Sequence, residues 1–173
     1  MELLKPENED NVTMEFHEAC KKGNIDKVTN FLQRKEEIDV VQLDNQFTLK
    51  RAVQNGDSQI VRLLLRIGIN VNKKHTLTGI RPLHCACAAW GNLAIAKILL
   101  DNGADINATE ECYNQNALHF AVLNKKTSIT KLLLKYGCKT NVRNHEGLTG
   151  LEMALKKGFV GIAKLIAFHN KQT

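Results

Sequence analysis

The chain repeats itself, and the repeat constrains the fold more than any other feature. A glycine, or a residue in its place, recurs at Gly23, Gly56, Gly91, Lys125 and Gly158, with spacings of 33, 35, 34 and 33 residues. A period of about 33 residues marks supersecondary units that cannot bury their apolar faces alone and must stack on neighbours. It also moves the functional question from catalytic residues to exposed surface.

The clearest unit runs R-P-L-H-C-A-C-A-A-W-G-N-L-A-I-A-K-I-L-L-D-N-G-A-D-I-N over 81–107. Pro82 suits a first helical turn, where its missing N–H costs nothing. Leu83 and Ala86 begin a helix face of small residues, and Gly91-Asn92 breaks it. Leu93, Ile95, Ala96, Ile98, Leu99 and Leu100 then follow with helical periodicity until Gly103 ends the second helix. The scheme returns as N-A-L-H-F-A at 116–121 with I-T-K-L-L-L-K-Y-G at 129–137, and as F-T-L-K-R-A at 47–52 with I-V-R-L-L-L-R-I-G at 60–68. F-H-E-A-C-K-K-G-N at 16–24 opens the series, and T-G-L-E-M-A at 149–154 closes it.

These segments resemble the ankyrin repeat, whose signature is T-P-L-H-x-A followed by G-x-x-x-x-V-x-x-L-L-x-x-G-A-D-x-N. The resemblance implies an all-α ankyrin-repeat solenoid of stacked helix-turn-helix units with hairpin-like loops. It spans 13–170 in units of about 13–44, 45–77, 78–112, 113–145 and 146–170, with tails at 1–12 and 171–173. Arg81 and Asn116 replace the family threonine, Lys125 the turn glycine, and Lys35 the exit glycine. The third unit carries an extra residue near Trp90, and one extra residue each precedes the third and the fourth unit in their loops.

Composition is that of a folded chain, with 43% hydrophobic residues. No apolar run reaches the length of a membrane span, and Met1–Asp10 lacks a signal-peptide core. The expected setting is cytoplasmic, with the nucleus as a second compartment. Five cysteines form an odd set better suited to reducing conditions than to a disulfide framework. The net charge of +6 is uneven: residues 124–173 hold ten basic residues against Glu146 and Glu152 alone. Those lysines either favour acidic partners or solvate the outer helix faces.

His17, His84 and His119 share one register position. The resemblance gives that histidine an architectural bond to the neighbouring loop, so no catalytic role is assigned. His84-Cys85-x-Cys87 raises the question of zinc, but no second ligand pair accompanies it, and the cysteines read as small apolar residues. No phosphate loop, nucleophile elbow or carboxylate pair is present. The reading is therefore of a non-enzyme without cofactor or metal.

What remains is a binding surface. By resemblance, the concave face carries the residues before each turn glycine and those at the loop tips. Here they are Lys21, Lys22, Gln54, Asn55, Trp90, Leu123, Asn124, Lys156 and Lys157, with Ile80 and Tyr113 from the loops. Trp90, Leu123, Ile80 and Tyr113 would form an apolar centre between lysine pairs, the arrangement of an anchored interface with a charged rim. The extra residue beside Trp90 equally allows that ring to turn inward. Leu99, Asp105, Ile106 and Asn107 match the spacing at which asparaginyl hydroxylases modify ankyrin repeats, and Asn107 also suits a loop hydrogen bond.

The expected function is a non-catalytic protein-interaction module, acting as adaptor, competitor or inhibitor, monomeric, with a protein partner that carries acidic segments. Two alternatives stand beside it. One is an inhibitor like those of Rel-type transcription factors; the other is a basic ankyrin domain that binds nucleotides or nucleic acid, disfavoured because its lysines lack interleaved aromatics.

Overall fold

The structure, a computed structural model, describes residues 7–34, 39–45, 48–88 and 91–172. Trp90 and Lys35 therefore lie outside the described residues. All regular structure among the described residues is helical: α1 (Glu7–Lys21), α2 (Ile25–Gln33), α3 (Val40–Asn45), α4 (Thr48–Asn55), α5 (Ser58–Arg66), α6 (Pro82–Cys87), α7 (Leu93–Asp101), α8 (Ala117–Leu123), α9 (Thr127–Lys135), α10 (Gly150–Lys156) and α11 (Val160–Asn170). The chain divides into two compact units, Met1–Asn70 and Val71–Thr173.

In the first unit two helix pairs stack, α1 on α4 and α2 on α5. Phe16, Cys20, Val28, Ala52, Ile60 and Leu64 are fully buried between them. Phe16 and Phe31 meet edge to face at 6.0 Å. Helix α1 starts at Glu7, six residues before the expected start of the repeats at 13, because no glycine or proline interrupts 7–22. The loop expected near 40–45 is a short helix instead. Its Leu43 is fully buried and its carbonyl accepts a hydrogen bond from Thr48 Oγ1 at 2.9 Å, so both the apolar side chain and the helix end are satisfied.

In the second unit α6, α8 and α10 form one row, and α7, α9 and α11 form the other. Ala86, Ala121 and Ala154 occupy one register position and are at most 1% exposed, as are Leu83 and Leu118 to within 2%. A small side chain there lets neighbouring helices approach to native packing density. The loops between pairs close like hairpins: His75 N–H donates to Ile80 O at 2.9 Å, Glu110 N–H to Gln115 O at 3.0 Å, and Asn144 N–H to Leu148 O at 2.9 Å. They also bond one another, Glu111 N–H to Thr78 O and His145 N–H to Tyr113 O, both at 2.9 Å.

The turn between helices of a pair needs a left-handed residue, and Gly23, Gly56 and Gly158 adopt φ of +70°, +83° and +70°. Lys125 takes the same conformation at +54° despite its side chain. Gly91 does not. It is required instead by crowding, since a Cβ there would stand 2.7 Å from the Ala88 carbonyl oxygen and 2.9 Å from Ile129 Cδ1.

In the final helix pair Lys164, Asn170 and Lys171 are exposed. Phe168 is also 63% exposed, and Leu155 is 62% exposed where its register equivalent Val122 is fully buried.

Candidate functional site

The shared histidine position explains itself at atomic level. Arg81 N–H donates to His84 Nδ1 at 3.2 Å, and His84 Nε2 donates to Ala108 O at 2.9 Å. His119 repeats both bonds, accepting from Asn116 N–H at 3.3 Å and donating to Leu148 O at 3.1 Å. Each ring closes a capping box behind it and ties down the loop ahead; at His84 this requires the neutral Nε2–H tautomer, while His119 Nδ1 also lies 2.7 Å from Asn116 Oδ1. Burial holds both imidazoles below the ordinary histidine pKa. In the last pair Glu152 stands at this position and keeps only the capping half, accepting from Thr149 N–H at 2.7 Å. His17 differs, with Nδ1 2.7 Å from Thr48 Oγ1, because α3 occupies the place of the loop it would otherwise reach.

A second recurring position was not singled out from sequence. Glu110 is buried, and its carboxylate accepts from the N–H groups of Cys112, Tyr113 and Gln115 at 2.7, 2.9 and 3.0 Å. Asn144, the matching residue of the next loop, accepts from Glu146 and Leu148 N–H at 3.0 and 2.9 Å. The signal available was an acid or amide recurring at 34 residues beside the extra loop residue. Asn72 and Asn107 form a parallel ladder. Asn72 Oδ1 accepts from Asp105 N–H and Asn107 Oδ1 from Lys139 N–H, both at 2.8 Å. Asn107 therefore makes the loop bond its type suggests.

These loops and the helices α8 and α10 frame a groove of about 300 Å³. Its apolar lining is Leu123, Leu148 and Met153, and its polar lining is Gln115, Asn144, Glu146, Lys156 and Lys157. Leu123 remains 41% exposed at the edge. Lys156 Nζ lies 2.8 Å from Glu146 Oε2, and that ammonium holds the Glu146 carboxyl below its usual range. Of the residues expected to bind, Leu123, Lys156 and Lys157 meet here. Asn124 turns its amide to Phe120 O at 2.9 Å, and the Tyr113 ring meets that of His145 at 4.9 Å with the planes tilted by 56°. Ile80 is half-buried.

The residues of the first unit give a different picture from the expected cationic end. Lys21 and Lys22 reach Glu18 at 3.2 and 3.4 Å, so the pair is partly neutralised on its own helix. Asn55 donates to Lys21 O at 2.8 Å, while Gln54 is exposed. Trp90 falls outside the described residues.

Among the described residues no group of three or more His, Cys, Asp or Glu side chains is placed to hold a metal. His84 Nε2 is already spent on a backbone carbonyl and Cys87 is fully buried. No described helix is long and apolar enough to cross a membrane.

Comparison with known proteins agrees with the repeat fold. The family model for ankyrin repeats, in three copies, matches residues 16–110 and 108–173. The chain is 32% identical over 114 residues to a fowlpox virus ankyrin repeat protein, covering 65% of this chain and 33% of that protein. It is 36% identical over 106 residues to a mimivirus ankyrin repeat protein, covering 61% of this chain and 14% of the relative. The E3 ubiquitin-protein ligase KEG of Arabidopsis thaliana is 29% identical over 165 residues, 94% of this chain but 10% of the ligase. The match thus spans a third or less of each of these relatives.

Proposed function

The chain belongs to the ankyrin repeat family, and from that premise we propose that it binds a partner protein through the groove framed by α8, α10 and their loops. Ankyrin repeats are protein-interaction modules. The recurring polar residues are spent on caps and loop bonds, so binding falls to residues that the repeat does not use. Leu123, Lys156 and Lys157 are such residues, and their convergence in one groove carries the reading. An exposed leucine beside exposed lysines gives a small apolar contact inside a charged rim.

On this reading the protein acts as an adaptor or competitor: it occupies a partner's surface without chemical change. Its five unbridged cysteines suit an intracellular, reducing setting. The ligase activity of the Arabidopsis relative is not carried over, because the match covers 10% of that protein.

The test is affinity capture from native cells with wild type, Leu123→Ser and Lys157→Glu, quantified by mass spectrometry. Loss of the same proteins with both variants, at unchanged melting temperature, supports the groove. Retention of every captured protein by both variants rejects it.

A further inference from the structure

We propose that the groove takes an extended, acidic segment of its partner, and that Glu146 is a built-in competitor which tunes the affinity for that segment. This rests on the groove being the partner site. The charge distribution decides the partner's chemistry. Residues 124–173 contain two carboxylates against ten cations. Both carboxylates are already engaged, Glu152 by Thr149 and Arg143 at 2.7 and 3.0 Å, and Glu146 by Lys156 at 2.8 Å. Lys157 borders the same groove and is exposed.

An arriving carboxylate therefore meets Lys157 first, and gains Lys156 when Glu146 turns away into solvent. A basic segment meets two ammonium groups. Leu123, Leu148 and Met153 supply the apolar part of the lining. In an extended peptide residues two apart share a face, so a leucine between two alternate glutamates presents one apolar and two acidic groups together. Glu146 reaches the groove from a loop that does not depend on its side chain. The loop is closed by Asn144, whose Oδ1 holds the backbone N–H of Glu146 and Leu148. The carboxylate is thus replaceable without loss of the loop, which suits a residue that sets specificity.

The probe is a fluorescein-labelled peptide with glutamate, leucine and glutamate at alternate positions and serine between, set against a twin with lysine for glutamate. Fluorescence anisotropy is read for wild type, Glu146→Gln, Lys157→Glu and Leu123→Ser, with thermal melts as the control for folding. The acidic peptide binds and its twin does not. Glu146→Gln tightens the acidic peptide by about two- to fivefold, the range for one exposed ion pair, and Lys157→Glu weakens it by a similar factor. Absence of acidic-peptide binding overturns the proposal, and no tightening with Glu146→Gln overturns the competitor role. So does displacement of the peptide by a ten-nucleotide single-stranded DNA, which would assign the cations to phosphate. If Leu123→Ser and Lys157→Glu weaken binding while Glu146→Gln does not tighten it, only the competitor role fails. If neither of those two variants alters binding, the groove itself is not the site.

Discussion

The Lys125 ammonium stands 5.5 Å from the centre of the Phe159 ring, and Lys125 is also the residue that takes a left-handed turn in place of glycine. One side chain thus carries a local strain and a contact to the following helix pair. Exchanging Lys125 for Ala or Gly removes the contact in both cases, but only Gly relieves the backbone. Chemical denaturation should find Lys125→Gly more stable than Lys125→Ala by about 1 kcal/mol, the cost of a left-handed conformation for an L residue. Equal stability of the two would show that the turn is not strained.

The paired histidines set a pH dependence. His84 and His119 have folded-state pKa values lowered by burial, so the unfolded chain takes up their protons first as pH falls. Stability should be fully present above about pH 6.5, the unfolded value, and decline below it towards the lowered folded values. The double variant His84→Gln, His119→Gln should melt lower at pH 7.5 and lose much of the slope between pH 6.5 and 5. An unchanged slope would mean that these rings do not carry the effect.

Glu110 should be among the costlier loop residues to lose. Glu110→Ala leaves three backbone N–H groups without their shared acceptor. Urea denaturation should show a loss of about 2–3 kcal/mol, on the scale of hydrogen bonds to a charged group. A loss below half a kcal/mol would show that water replaces the carboxylate freely.

Thiol reactivity should sort the cysteines by burial. Cys20 and Cys138 are buried with thiol pKa values pushed up to about 12, and burial also raises that of Cys87. Cys112 is exposed. An aromatic disulfide reagent should modify Cys112 quickly in the native state and Cys20, Cys87 and Cys138 only after denaturation. Fast native reaction of Cys87 would contradict the packing of α6.

The fold was legible because its determinants recur. The buried alanines at 19, 52, 86, 121 and 154, and the histidines at 84 and 119, are each spaced by one repeat, so one position interprets the others. Departures were less legible. Helix α3 depends on Leu43 finding a pocket between α1 and α4, which no local pattern specifies. The neutralisation of Lys21 and Lys22 was readable, since Glu18 stands three and four residues away on one helix. The pairing of Lys156 with Glu146 was not, because it joins a loop tip to a helix end ten residues on. Glu110 was legible only as an acid one repeat before Asn144, because its three backbone N–H partners leave no mark on the sequence.

The most direct test of the account is site-specific photo-crosslinking in living cells. A benzophenone amino acid is placed at position 123, beside the groove, and in a second variant at position 131 on the exposed side of α9. The account predicts a discrete crosslinked partner from position 123 that is absent from position 131 and diminished by Lys157→Glu. A partner captured from 131 and not from 123 would contradict it.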